Sequence, residues 1–175
     1  MKKFTNSIFI IVFATVAAGL YGAAHNQISY TISPEYFTNI KFAQFGWLLV
    51  GFGDRVNAGL IGFSAACWFG TICGTLIAFR MRHIEDRQRF IRFAFFRLVL
   101  VLITSALVAF GVSFYSYSQD ASALLAYWQH TSTHYRIKEP LSFAVVAQMH
   151  RMSYVGGVIG MLWLLLPAKK LKAHR

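Results

Sequence analysis

Seventeen Lys and Arg against six Asp and Glu give this 175-residue chain a net charge of +11, yet 57% of it is hydrophobic and only 13% is charged. That combination excludes an ordinary soluble domain. It also excludes a nucleic-acid module, because a basic nucleic-acid surface does not come with several apolar runs of bilayer length. The composition is that of an integral membrane protein whose first partner is the lipid bilayer.

Four apolar segments, at about 7–24, 56–79, 93–117 and 141–166, approach or exceed the roughly 20 residues that a helix needs to cross a hydrocarbon core. In lipid the backbone must satisfy its hydrogen bonds within each segment, so all four are predicted to be helices. The expected fold class is all-α: one membrane domain over residues 1–175, a four-helix transmembrane bundle with loops 25–55 and 118–140 on the outer side.

The first segment, with its basic start and small residues Gly22 and Ala24, also matches a secretory signal peptide. Cleavage after Ala24 would leave His25 as a new N-terminus whose amine and imidazole could chelate one metal ion. Ala14, Ala18 and Gly22 recur every four residues, as on a helix packed against another, and this favours a retained first helix.

After it comes GAAHNQISYTISPEYF, which gathers His25, Gln27, Tyr30, Glu35 and Tyr36 next to the apolar run. Ser33 as N-cap, Pro34 at the first helical position and Glu35 in the first turn predict a short helix in the first outer loop. Ile40, Phe42, Phe45 and Trp47 give it an apolar side for the membrane interface. In the GFGDRVNAG stretch that ends the loop, Asp54 is read as the cap of the second helix and Arg55 as a headgroup contact.

The second segment carries Ala58, Gly62, Ala66, Gly70, Gly74 and Ala78 at four-residue spacing, a continuous stripe where another backbone can approach closely. Gly156 and Gly160 repeat the pattern in the fourth segment, so helices 2 and 4 are expected to be central. The stripe of helix 2 could equally serve a homodimer or a larger membrane complex. Cys67 and Cys73 sit inside the second segment as small hydrophobes, and the Phe-rich 93–96 stretch and Trp163 read as lipid-facing.

Lys2, Lys3, Arg80, Arg82, Arg87, Arg89, Arg92, Arg97, Lys169, Lys170, Lys172 and Arg175 place twelve of the seventeen basic residues on one side. By the positive-inside rule both termini are then cytoplasmic. His130 and His134, four apart in the second outer loop, could face one metal ion, but without a companion carboxylate motif they are weak ligand candidates.

His150 and Arg151 lie in the fourth segment, about ten residues from Pro140 and so roughly 15 Å along the helix. An ionisable group at that depth needs a partner. Glu35 and Asp54 are the expected partners for Arg151, and Gln27, Tyr30 or a water for His150. A histidine there could bind a metal ion or haem iron or carry a proton, but no HExxH, CxxCH, Walker or nucleophile-elbow motif indicates a cofactor or an enzyme.

Together HNQISYTISPEYF, KFAQFGW, DRVNAGLIGFSAACWFG and MHRMSYVGG resemble an uncharacterised family of small bacterial multi-pass membrane proteins, marked by HxQ…ISPEYF and a late HxxSYxGG. The resemblance implies a bacterial inner-membrane protein with a retained first helix. It transfers no activity, and it marks His25, Gln27, Glu35, Tyr36 and His150 as site candidates only. Three readings follow: a transport or binding protein whose outer-half polar site takes a small ligand, cation or metal through His25, Glu35, Asp54, His150 and Arg151, with Gln27, Tyr30, Tyr36 and Arg55 as further ligand candidates; a structural or accessory subunit of a membrane complex; and a metal-dependent membrane enzyme with Glu35 as acid or base and histidines as ligands.

Overall fold

The computed structural model describes residues 2–165, so the basic residues Lys169, Lys170, Lys172 and Arg175 and the expected helix end at Leu166 lie outside them. All regular structure among the described residues is helical. The long helices are α1 (Lys2–Ile32), α2 (Asp54–Arg80), α3 (Arg87–Gln119) and, after the shorter α4 (Ala121–His134), α5 (Pro140–Leu165). Three of them, α1, α2 and α3, are long and apolar enough to cross a membrane. The fourth, α5, carries Gln148, His150 and Arg151 among its apolar residues, which dilutes its hydropathy.

The first helix runs to Ile32 rather than ending near Ala24. Polar side chains beyond Ala24 find partners that let it continue. Asn26 donates to the Ala58 carbonyl at 2.8 Å, Gln27 to the Arg55 carbonyl at 2.9 Å, and the Ser29 hydroxyl back to the His25 carbonyl at 2.9 Å. Each bond satisfies a group that would otherwise pull the chain toward water. His25 therefore sits inside a helix, not in a loop.

Helix α3 starts at Arg87, earlier than its apolar run, because the Asp86 carboxylate accepts from the Arg89 amide at 2.7 Å and caps it. Much of the expected second outer loop is helix α4. Asp120 caps it by accepting from the Ala123 amide at 2.9 Å and from the Ser122 hydroxyl. These two bonds, the hydroxyl first, hold the Asp120 carboxyl below its usual range. A depressed carboxylate stabilises the cap above its unfolded pKa and loses that contribution as pH falls through the folded value. We expect the protection factors of the first-turn amides of α4, taken relative to their intrinsic exchange rates, to fall as pH drops through the acid range, with Asp120→Asn flattening that dependence.

Packing joins the long helices mainly in two pairs, α1 with α2 and α3 with α5, rather than around a central contact between α2 and α5. The small-residue stripe of α2 faces α1. A methyl carbon on Gly62 would fall on the Gly22 carbonyl oxygen, and one on Gly70 on the Ala14 carbonyl oxygen. Backbone thus meets backbone along this seam, and the stripe is taken up within the chain. In the second pair, Gly156 and Gly160 meet the backbones of Ser105 and Val101 in the same way. Ile10, Ala14, Cys73, Ile77, Leu98, Val101 and Leu164 join the two pairs in one core toward the basic end, where Arg80 and Arg87 lie. Phe95, Phe96 and Trp163 point outward, as a lipid-facing reading requires, but Ala94 is buried and Phe93 packs against the core, so only part of the 93–96 stretch faces out.

Candidate functional site

At the opposite end, residues 34–48 form a bent helical connector: Pro34–Tyr36, a wide π turn over Phe37–Lys41, Phe42–Gln44 and a 3-10 turn at Gly46–Leu48. Ser33 occupies the N-cap position but its side chain makes no capping bond. The expected interfacial side is only partly so. Trp47 is exposed, whereas Tyr36, Phe37 and Ile40 are buried against Ala58 and the start of α5, with Phe143, Val146 and Ala147. In an α-helix, residues five apart diverge by about 140°. The π turn reduces that divergence, and Lys41 lies 5.3 Å over the Tyr36 ring.

The connector thereby carries Tyr36 to His150. Their rings stack at 4.6 Å and 25°. From α1, His25 meets the same histidine edge-on, with centroids 4.8 Å apart, and is enclosed further by Phe110 at 5.5 Å and Tyr21 at 6.0 Å. Both His25 nitrogens and Nε2 of His150 are buried and make no hydrogen bond to protein. Buried polar groups are normally paired, so three unpaired nitrogens in one place call for an explanation. Burial, reinforced by Tyr154 beside it, pushes the Tyr36 phenol well above its ordinary range, so it remains a protonated donor at neutral pH. Burial also lowers the Lys41 ammonium below its usual value.

These groups line one end of a cavity of about 110 Å³ between the two helix pairs. One turn deeper, the Tyr21 hydroxyl donates to Ser105 Oγ at 3.2 Å, and Ser105 donates to the Ser153 carbonyl at 2.9 Å. Deeper still the walls are apolar, formed by Ala18, Phe69, Val101, Leu102 and Gly157. Small residues of α1 and α2 make this room: Gly22, Gly62, Ala65 and Ala66 are part of its lining.

The remaining sequence candidates lie elsewhere. Glu35 accepts from the Lys138 amide at 3.0 Å and the Glu139 amide at 2.9 Å, so its carboxylate anchors the connector to the start of α5 instead of pairing with Arg151. Replacing Glu35 by Ala should lower thermal stability by about 1–3 kcal/mol, with Glu35→Gln intermediate; detergent-phase melting curves check this. Tyr30 donates to Asp54 at 3.4 Å, and Arg55 donates to Thr31 at 3.2 Å while lying 5.2 Å over the Tyr30 ring. Gly53, with φ at +99°, takes the N-cap position of α2, and Asp54 is its first residue rather than its cap. Neither Gln27 nor Tyr30 reaches His150.

Arg151 points away from His150, as successive residues about 100° apart must. It is exposed and lies 5.0 Å over the Tyr127 ring of α4, a cation–π contact that replaces the expected carboxylate pair. His130 and His134 stack at 6.4 Å on the exposed face of α4, beside an open depression. No group of three His, Cys, Asp or Glu is placed to hold a metal ion among the described residues. At 4.8 Å the His25 and His150 rings are in contact, so no porphyrin can lie between them in this arrangement.

The sequence marks His25, Tyr36 and His150 as candidates but not Tyr21, Lys41, Phe110, Ser105 and Ser153. Tyr21 was within reach, one turn from His25 on the same helix face, as was Ser153, three residues from His150. Comparisons with known families, with curated proteins and with solved structures return no significant match.

Proposed function

We propose that this is a multi-pass bacterial inner-membrane protein that binds or transports a small ligand, cation or metal through the cavity formed by His25, Tyr36 and His150. All four long helices cross the bilayer in this reading, with both termini cytoplasmic and the connector and α4 outside. The basic loop at residues 80–92 supports that orientation; α5 is read as a span because its His150 lies in the cavity and its Arg151 has a cation–π partner in Tyr127.

One observation carries the proposal. Two histidines from distant parts of the chain meet inside the apolar body with three nitrogens that no protein group satisfies. Intramembrane ionisable residues are expensive, and a purely structural network would pair its members. Native mass spectrometry of protein taken gently from its own membranes tests this. We expect a non-covalent adduct on the wild-type chain that is missing from the double variant His25→Phe/His150→Phe. An equal adduct pattern on both proteins would remove the site.

A further inference from the structure

Building on that binding site, we infer that its ligand is a lipid-soluble molecule with a ring-sized head bearing carbonyl oxygens, of the quinone class. The head lies against His25 and His150, and its tail leaves along the apolar walls toward the bilayer.

The chemistry of the lining selects against a cation. Among the described residues it contains no carboxylate and no thiolate, its charged residue is Lys41, and two imidazoles fall short of the four ligands that zinc takes. A neutral imidazole offers one N–H donor and one acceptor. His25 and His150 can therefore each donate to a carbonyl oxygen, or accept from the hydroxyl of the reduced form, without the burial of a net charge. The protonated Tyr36 phenol adds a further donor at the same end.

Size and shape point the same way. The cavity, at about 110 Å³, is comparable to the roughly 150 Å³ apolar cavity that holds a benzene ring. It extends from His25 to Ala18, about 10 Å along α1, and changes from polar to apolar over that length. A head-and-tail molecule matches such a gradient, and a compact ion does not. The lining includes Tyr154, which is 53% exposed on the lipid-facing side of this reading, and the inferred route for the tail runs past it.

The test titrates the purified full-length chain in detergent with a short-tailed benzoquinone, with Zn²⁺ alone and with a long-chain fatty acid, following heat by calorimetry. Saturable benzoquinone binding is expected, weakened at least tenfold by His150→Phe and by the cavity-filling Ala65→Phe, and unchanged by Gly111→Ala. His150→Gln, which keeps a polar group at the site, should fall between wild type and His150→Phe, and each variant must elute as the wild type does. Histidine-dependent binding of Zn²⁺ or of the fatty acid without benzoquinone binding would overturn the quinone inference and leave the binding site standing. Binding of none of the three, with no native adduct, would overturn both. Benzoquinone binding that ignores His150→Phe and Ala65→Phe would be partition into the micelle and would overturn the inference too.

Discussion

Gly70→Leu will prevent the chain from folding, and Gly62→Leu will do the same. Each added side chain would enter not a deformable pocket but the backbone of α1, at the carbonyl oxygens of Ala14 and Gly22. Overpacking costs about 1–3 kcal/mol where neighbours can yield, and backbone in a helix yields least. Proteins have about 5–15 kcal/mol of stability to lose, so even Gly70→Ala should lower the melting point measurably, and leucine should abolish monodisperse elution after extraction. Gly111 is the control. A methyl group there meets nothing within 4 Å, and replacing a helical glycine by alanine should leave stability unchanged or raise it by about 1 kcal/mol. If Gly70→Leu elutes and melts like the wild type, the close contact between α1 and α2 is wrong.

The second large effect has the opposite sign for stability. His25→Phe/His150→Phe replaces three buried nitrogens that lack partners with apolar edges of similar bulk. Each unsatisfied group costs about 1–3 kcal/mol, so the ligand-free double variant should melt above the ligand-free wild type. It should also lose its adduct. This separates a binding site from a packing network: if the histidines hold the helices together, the double variant will melt lower instead. A stability gain joined to a loss of ligand is the usual mark of groups kept for function at a cost to the fold.

Much of this arrangement was legible in the chain, but unevenly. The spacing of Ala58 to Ala78 announces a closely packed helix face, since four-residue recurrence of small side chains has few other uses. What covers that face is not encoded locally. Helix α1, another copy or a partner would each leave the same pattern, and only the structure assigns it to Ala14, Ala18 and Gly22. Hydropathy placed the end of the first helix near Ala24 because it counts His25, Asn26 and Gln27 as costs. It cannot count the carbonyls of Ala58 and Arg55 that satisfy Asn26 and Gln27.

The site shows the same division. His25, Tyr36 and His150 were readable as polar groups in an apolar setting, and Glu35 and Arg151 were readable on the same grounds. Which of these meet depends on the bend at residues 34–48 and on the rotation of α5, and both are tertiary properties. Arg151 shows why charge arithmetic misleads here: an aromatic ring on a neighbouring helix, Tyr127, is an adequate partner for a guanidinium. The helix α4 was hidden by its polar composition, although Asp120 ahead of it is an ordinary cap.

The two glycine seams have a mechanical consequence. Each locks a pair of helices backbone to backbone, so α1 with α2 and α3 with α5 behave as two stiff plates. The cavity lies where the two plates meet, with Gly22, Gly62 and Ala66 of the α1–α2 seam forming part of its wall. In the proposed reading, a molecule entering from the bilayer would not have to bend or unwind any helix. One plate has only to roll slightly against the other, with the connector at residues 34–48 as the strap across the joint.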